Sequence, residues 1–239
     1  MAEVPDPTTL LERIGMQLPL LGFYDAPDPT PFDPIIQPES GACVFSHYAS
    51  WVQGVTLELT QDTFGCRGAG RWLCGSQAFG GENFVNFLVD TEGLKDSKEL
   101  MGESVEQSHF YVQENPYLFI GPFRPECYEY LKTLTFMVNP DQLSILMTGA
   151  QYHAHVADPA PVIAPFGSGC SQLVNFPDIS VAQSLIGATD MAMRHNLPPD
   201  LLFFTVTKPM FERLCSLDER SFLFKGFLKR LQDARLQPG

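Results

Sequence analysis

Apolar, strand-like runs alternate with helical segments in the second half of the chain. Of all the features of the sequence, this alternation restricts the possible folds most. The apolar run 201–207 predicts a strand, and helical sequence begins directly after it. Asn139 followed by Pro140 indicates a helix start, because asparagine caps free backbone N–H groups and proline fits the first turn. Strands that alternate with helices predict an α/β or α+β fold, with helices packed on a mixed β-sheet. Several connections are too short for a purely parallel sheet.

The length and composition favour one folded unit. The chain has 239 residues, close to the length at which a single hydrophobic core stops growing, so we expect one compact domain over 1–239. Hydrophobic residues make up 44% and charged residues 18%, which excludes an intrinsically disordered chain. Prolines are concentrated in 25–38, and because proline lacks a backbone N–H, this stretch predicts an irregular surface strap or lid.

The charge balance excludes several classes of partner. The formal net charge is -13, whereas a nucleic-acid binder needs a basic face, so we expect no nucleic-acid partner. The apolar runs fall short of the roughly 20 residues of a spanning helix, so we expect no membrane partner. The first residues lack the pattern of a signal peptide, which favours a cytoplasmic protein. Six cysteines in such a protein predict free thiols rather than a disulfide framework.

Three of the cysteines stand at predicted helix starts. Cys43 is near the start of a helix predicted over 42–53, Cys66 lies in a glycine-rich turn, and Cys170 follows Gly-Ser-Gly. A thiolate is stabilised there by the free N–H groups and the helix dipole. Three thiolates that meet would suit a [4Fe–4S] cluster or a metal ion, since both prefer soft sulfur ligands. We therefore predict Cys43, Cys66 and Cys170 as metal ligands.

Glycines flank these cysteines and widen the choice of ligand. They let the backbone approach a cluster and donate hydrogen bonds to its sulfurs, which predicts cofactor contacts at Gly65, Gly68, Gly167 and Gly169. Candidates for a fourth ligand are Cys74, His47 and an external molecule. The same turns could hold a small anion instead, with a counter-charge from Arg67, Arg71 or Arg194. No Cys-x-x-Cys pair occurs, so ferredoxin and zinc-ribbon spacings are excluded.

Two alternatives need no metal. Free cysteine is among the most buried residue types, so the cysteines are also explained as core packing. The chain would then be a non-enzymatic module whose apolar pocket binds a small organic molecule, walled by Phe64, Phe166 and Phe176. The second alternative is a hydrolase with Cys170 as nucleophile, His153 or His155 as base and Asp190 as the orienting group.

The order of these motifs resembles the family catalogued as domain of unknown function 169. The resemblance covers about residues 10–229. It implies a shared fold and draws attention to Cys43, Cys66 and Cys170, but it implies no reaction. Its motifs are Cys43 itself, Leu59-Thr60 with Gly65-Cys66-Arg67-Gly68-Ala69, Asn139-Pro140-Asp141-Gln142-Leu143, Phe166-Gly167-Ser168-Gly169-Cys170, and Thr189-Asp190 with Arg194.

Together these observations predict a cytoplasmic protein with a cysteine-ligated iron–sulfur or metal site. Its role would be redox chemistry or small-ligand activation, and its partner a small-molecule ligand or a redox protein. A homo-oligomer is compatible with the sequence. The prediction depends on one condition, which is that the three cysteines meet in space.

Overall fold

A computed structural model of the chain describes residues 4–39, 41–60, 66–75 and 81–236. Its strands are β1 (Leu21–Ala26), β2 (Ile35–Ile36), β3 (Thr56–Leu59), β4 (Tyr117–Pro122), β5 (Leu131–Val138), β6 (Val162–Ile163), β7 (Ser184–Gly187) and β8 (Leu202–Thr207). Its α-helices are α1 (Thr8–Ile14), α2 (Tyr48–Val52), α3 (Arg67–Cys74), α4 (Glu82–Asn86), α5 (Lys98–Gln107), α6 (Pro140–Gln151), α7 (Met191–Arg194), α8 (Lys208–Cys215) and α9 (Gly226–Leu236).

The eight strands form one mixed sheet in the order β2-β3-β4-β1-β5-β8-β7-β6. The central pairings are antiparallel. The two-residue edge strands, β2 and β6, pair in parallel with β3 and β7. The predicted single domain with a mixed sheet and packed helices is therefore confirmed.

Helices cover both faces of the sheet. Alternate residues of a strand point to opposite sides, and here both sides carry apolar side chains that must be buried. In β8, Phe203 belongs to one core cluster and Phe204 to the other. The Phe203 face, called the cysteine face below, packs against α2 to α5 through Trp51, Trp72, Phe84 and Met101. The opposite face packs against α1, α6, α8 and α9 through Leu10, Ile145, Met210 and Leu228.

Helix ends follow the local sequence closely where the capping residues are strong. At α6 the amide of Gln142 donates to Asn139 Oδ1 at 2.9 Å, and the Asn139 amide donates back to Gln142 Oε1 at 3.0 Å. This reciprocal capping confirms the helix start predicted at Asn139 and Pro140. Helix α3 ends at Gly75, whose φ of 65° suits glycine at a helix end.

The proline-rich stretch 25–38 is attached to the sheet more extensively than its composition predicts. Strand β1 extends into it as far as Ala26, and Ile35–Ile36 forms edge strand β2. Phe32 is fully buried and stacks on Phe119 with ring centroids 4.3 Å apart. The stretch is thus a strap fixed to the sheet rather than a lid.

In the C-terminal half of the chain, two predicted helices differ from those in the structure. The pattern over 219–234 predicts one helix, but a short 3₁₀ turn, Phe222–Phe224, precedes α9, and Phe227 is 75% exposed. After Gly169 the chain forms only a 3₁₀ turn, Ser171–Leu173, where a full helix is predicted. In the first case Gly226, the first residue of α9, stands between the 3₁₀ turn and the rest of the helix, and glycine has a low helix propensity.

Candidate functional site

A cavity of about 620 Å³ lies on the cysteine face. Its walls are mostly apolar side chains, among them Phe45, Trp72, Phe84, Leu88, Met101 and Phe166. The volume lies within the range of about 300 to 1,000 Å³ that is usual for small-molecule sites. Cys43, Cys66 and Cys170 all line this cavity, so the structure brings the three cysteines together.

The Cys66 and Cys170 sulfurs flank the start of α3 at Gly68. A Cβ placed on Gly68 would lie 3.6 Å from Cys170 Sγ and 3.8 Å from Cys66 Sγ. It would also lie 3.6 Å from Ser168 Oγ. Glycine therefore leaves open the space between these groups, while the contact of Gly68 with a cofactor stays a prediction.

The two sulfurs differ in their affinity for a proton. The Cys170 thiol, as a hydrogen-bond donor, lowers the pKa of Cys66 to about 6. Burial alone would raise this pKa, and the backbone N–H groups of Ala69 and Gly68 also lower it. The same hydrogen bond, together with complete burial, raises the pKa of Cys170 well above its ordinary value. At neutral pH this pKa makes Cys66 largely a thiolate, while the neighbouring Cys170 stays protonated.

The third cysteine remains protonated beside this pair. Burial raises the pKa of the Cys43 thiol, and the nearby charges of Cys66 and Asp190 raise it further. A hydrogen bond from the backbone amide of Phe45 lowers this pKa but does not cancel the effect of burial. Cys43 precedes the 3₁₀ turn Val44–His47, and α2 begins only at Tyr48, so the helix predicted over 42–53 is found as a 3₁₀ turn followed by a short α-helix. The arrangement thus offers one thiolate and two thiols to a ligand in the cavity.

Hydrogen bonds fix the turn that carries Cys170. Thr133 of β5 donates its hydroxyl to the carbonyl of Leu173 at 2.7 Å. Gln172 and Thr189 exchange two hydrogen bonds, at 2.6 and 3.2 Å. Asp190 caps α7 and also accepts from the Gly169 amide at 2.8 Å. The sheet and α7 therefore hold the turn from opposite sides.

The glycines of this turn are explained by packing. A Cβ on Gly169 would approach Met193 Cγ to 2.6 Å, and one on Gly167 would approach Ser171 Oγ to 2.4 Å. Both glycines line the cavity, so their contact with a cofactor stays a prediction. Gly65 lies outside the described residues.

The two fourth-ligand candidates from the sequence do not line the cavity. Cys74 is buried in the core of the cysteine face, where burial raises the pKa of its thiol. His47 follows Cys43 by one turn but does not line the cavity, whose polar and acidic lining residues include Ser168, Asp190 and Glu92. Burial raises the pKa of Glu92, as does the nearby charge of Asp190.

Sequence reasoning missed the part of the cavity that α5 contributes. Helix α5 looks polar and superficial, yet its buried Met101 and Val105 line the cavity. Their spacing of four residues, which places them on one helix face, was the available signal. The preceding π-helical turn, Phe87–Thr91, also contributes to the wall, and such turns are frequent at functional sites.

The predicted hydrolase grouping is not formed. His153 and His155 are exposed, and the His153 ring contacts Tyr152, which lies near Phe222 on the opposite face of the sheet. Cys170 belongs to the cysteine face. Within the described ranges no histidine lines the cavity, so the pairing of Cys170 with either histidine was wrong.

The predicted counter-charges for an anion are also engaged elsewhere. The Arg194 guanidinium donates to backbone carbonyls, including those of Leu201 and Pro199. Arg71 lies over the Trp72 ring, with its guanidinium carbon 5.4 Å from the ring centroid. Neither arginine lines the cavity, whose charged side chains are acidic. The side chain of Arg67 lies outside the described part of the structure.

Of the predicted aromatic walls, Phe166 lines the cavity and Phe176 does not, although Phe176 is buried. Phe64 lies outside the described residues. Among residues 4–39, 41–60, 66–75 and 81–236, no group of three or more histidine, cysteine or acidic side chains could hold a metal ion. This finding gives no support to the predicted site for a single ion.

Fold and site together define a mixed α/β protein with a thiol-lined apolar cavity. The family model of domain of unknown function 169, described as uncharacterised ArCR, matches residues 20–216. The chain belongs to this family, which confirms the resemblance found in the sequence. No curated protein and no solved structure was found to match it. In the parts of the chain that are described, the helices are too short or too polar to cross a membrane.

Proposed function

We propose that the chain binds a small, largely apolar molecule in the cavity on the cysteine face and engages its polar end with Cys66. The observation that carries this proposal is that Cys43, Cys66 and Cys170 line the same apolar cavity. Apolar walls supply affinity by removing the ligand from water, while a few polar groups determine its orientation. The thiolate of Cys66 provides a hydrogen-bond acceptor and a nucleophile at neutral pH.

Trp72 supports ligand binding independently of the cysteines. Its side chain lines the cavity and is 3% exposed, and its indole N–H has no hydrogen-bond partner within the described structure. A buried donor without a partner costs free energy, which an acceptor group on a bound molecule would recover.

A second candidate is a [4Fe–4S] cluster held by Cys43, Cys66 and Cys170. Three cysteine ligands would leave one iron open to a molecule in the cavity, which suits redox chemistry or ligand activation. A cluster spreads its ligands over several irons, so it needs wider sulfur spacing than a single ion. No group of three or more histidine, cysteine or acidic side chains among the described residues could hold a metal ion, so the cluster rests only on the sequence pattern and on the shared cavity.

The neutral fluorescent probe N-phenyl-1-naphthylamine tests the first proposal on the metal-free protein. Ser104 lines the cavity from α5, whereas Glu103 on the same helix is exposed. We expect Ser104→Trp to fill the cavity and weaken probe binding by about tenfold or more, which is a loss of about 1.4 kcal/mol. The matched Glu103→Trp variant should bind like the unaltered protein. Equal binding by both variants, with both folded, would place the probe outside the cavity and overturn the proposal.

Purification without oxygen tests the second candidate. A brown protein that contains iron and sulfide and loses its colour in Cys66→Ser would support the cluster. Protein that stays colourless after reconstitution with iron and sulfide, yet binds the neutral probe, would exclude the cluster and leave the ligand site.

A further inference from the structure

We propose that Cys66 and Cys170 form a redox-active dithiol that reduces a small, uncharged disulfide bound in the cavity. The inference rests on the proposed function, since the same cavity must admit the substrate. It adds the reaction, the class of substrate and the separate roles of the two cysteines.

Geometry assigns the two roles. Cys66 lines the cavity and is only partly buried, so a disulfide in the cavity can reach its sulfur. Cys170 is 4% exposed, and its sulfur borders the same position beside Gly68 as the Cys66 sulfur. Attack on a bound molecule therefore falls to Cys66, and attack on the resulting mixed disulfide falls to Cys170.

The space at Gly68 permits the second step. Both sulfurs lie within 3.8 Å of the position that a Cβ on Gly68 would occupy, so both border the space that glycine leaves open. Cys66 and burial raise the pKa of the Cys170 thiol. Ser168 Oγ, which lies 3.8 Å from Cys170 Sγ, has a smaller effect that lowers this pKa. The hydroxyl can therefore stabilise negative charge on Cys170 as it attacks.

The reaction balances without a further oxidant. The Cys66 thiolate attacks one sulfur of the substrate, whose S–S bond breaks and releases the first thiolate. The Cys170 thiol gives its proton to that thiolate and attacks Cys66 Sγ, which expels the second thiolate. Two electrons pass to the substrate, and a Cys66–Cys170 disulfide remains. A low-molecular-weight thiol would return the protein to its reduced form.

Charge selects against anionic disulfides. The cavity is lined by Asp190 and Glu92, and within the described ranges no lysine, arginine or histidine lines it. Lys95 lies over the ring of Phe166, 4.4 Å from its centroid, and does not itself line the cavity. With a thiolate at Cys66 as well, a negatively charged substrate would be repelled.

The chromogenic disulfides 4,4′-dithiodipyridine, which is neutral, and 5,5′-dithiobis(2-nitrobenzoate), which is anionic, test the inference on the reduced full chain. We expect the neutral compound to react rapidly and to release about two thione molecules per protein in the fast phase. Peptide mapping should then find a Cys66–Cys170 disulfide. The anionic compound should react at least about tenfold more slowly in a Cys66-dependent phase.

Serine variants separate the two cysteines. Cys170→Ser should release about one thione in the fast phase and retain a pyridylthio group on Cys66. Cys66→Ser should abolish the fast phase, whereas Cys215→Ser, on the opposite face, should keep about two. One thione from the unaltered protein, or a disulfide from Cys66 to Cys43, would overturn the inference. If Cys66→Ser and Cys170→Ser still bind N-phenyl-1-naphthylamine, the proposed ligand site survives that result; if the unaltered protein does not bind it, both proposals fail.

Discussion

The proton affinity of Cys66 has a direct consequence for its reactivity. Only the thiolate reacts with iodoacetamide, so a lowered pKa moves the rise in rate to lower pH. The Cys170 hydrogen bond lowers the pKa of Cys66 to about 6, whereas burial raises the pKa of Cys215 to about 12. We expect alkylation of Cys66 to reach half its maximum near pH 6 and to be nearly constant above about pH 7, while Cys215 stays slow.

Brief labelling at a series of pH values, followed by peptide mass spectrometry, measures both rates. A Cys66 rate that rises only around pH 8 to 9, about where an ordinary cysteine ionises, would contradict this prediction.

We expect substitution by alanine to have opposite effects on stability at Gly68 and at Gly169. At Gly68 a Cβ would make ordinary contacts of 3.6 and 3.8 Å with the two sulfurs, so the fold should tolerate Gly68→Ala. Alanine is favoured over glycine inside a helix, so stability should be unchanged or rise by up to about 1 kcal/mol. The methyl group would occupy the space between the sulfurs, so formation of the Cys66–Cys170 disulfide should slow.

At Gly169 a Cβ would lie 2.6 Å from Met193 Cγ and 3.0 Å from Phe45 Cε2. Gly169→Ala should therefore cost about 1 to 3 kcal/mol of unfolding free energy, measured in urea. Gly102→Ala, in α5 with no atom within 4 Å of its Cβ, is the control for both variants. A stable Gly169→Ala protein would contradict the contact.

The sequence predicted the three cysteines and Gly68 as one group, and they do line one cavity. It could not predict Glu92 or Met101 as their neighbours. Those residues reach the cavity through the packing of the π-helical turn and α5, which depends on the whole cysteine face rather than on local sequence. Whether the cysteines hold metal stays a prediction.

At the scale of single elements, capping residues carry measurable stability. Asn139→Ala would remove the 2.9 Å hydrogen bond that the Asn139 side chain accepts from the Gln142 amide, whereas the backbone amide of residue 139 could still donate to Gln142 Oε1. We expect a loss of about 1 to 2 kcal/mol in the free energy of unfolding. Helix α6 packs on the face opposite the cavity, so the alkylation rate of Cys66 should not change.

Ser144→Ala in the same helix is the matched control, because Ser144 is exposed and bonds only to the carbonyl of Pro140. It should change stability by less than about 0.5 kcal/mol. Equal losses in the two variants would mean that the cap contributes little.

Elements with strong local signals were predictable, and those shaped by tertiary contacts were not. The asparagine–proline start of α6 was predicted and is found, and the end of α3 at Gly75 likewise follows from local sequence. Ile35–Ile36, by contrast, lies among prolines and becomes a strand because β3 offers it backbone partners. Such a partner lies about twenty residues away in sequence and leaves no local pattern.

At the scale of the whole molecule, Asp25 connects the sheet to the site. Its fully buried carboxylate accepts from Tyr111 Oη at 2.6 Å and from the amides of Glu114 and Asn115 at 2.7 and 2.8 Å. The amide of Tyr111 donates to the carbonyl of Trp72 in α3, the helix that begins beside Cys66. The sheet, the segment before β4 and α3 are therefore linked through one carboxylate.

Asp25→Asn should destabilise the protein by about 2 to 3 kcal/mol in urea unfolding, because either orientation of the new amide sets an N–H₂ against a backbone N–H. Tyr111→Phe, which leaves both amide bonds to Asp25 intact, should cost less, about 1 to 2 kcal/mol. The exposed Asp96→Asn serves as the control and should be neutral within about 0.5 kcal/mol. The reverse order of Asp25→Asn and Tyr111→Phe would contradict the proposed linkage.

The sheet ends on both sides in strands of only two residues, each set between prolines in the sequence. Pro34 and Pro38 flank β2, while Pro161 and Pro165 flank β6. An edge strand this short, flanked by prolines that lack a backbone N–H, offers few groups for pairing with a strand of another molecule, and such pairing is how β-rich proteins form fibrils. Concentrated solutions of this protein should therefore resist fibril growth by edge-to-edge pairing of strands.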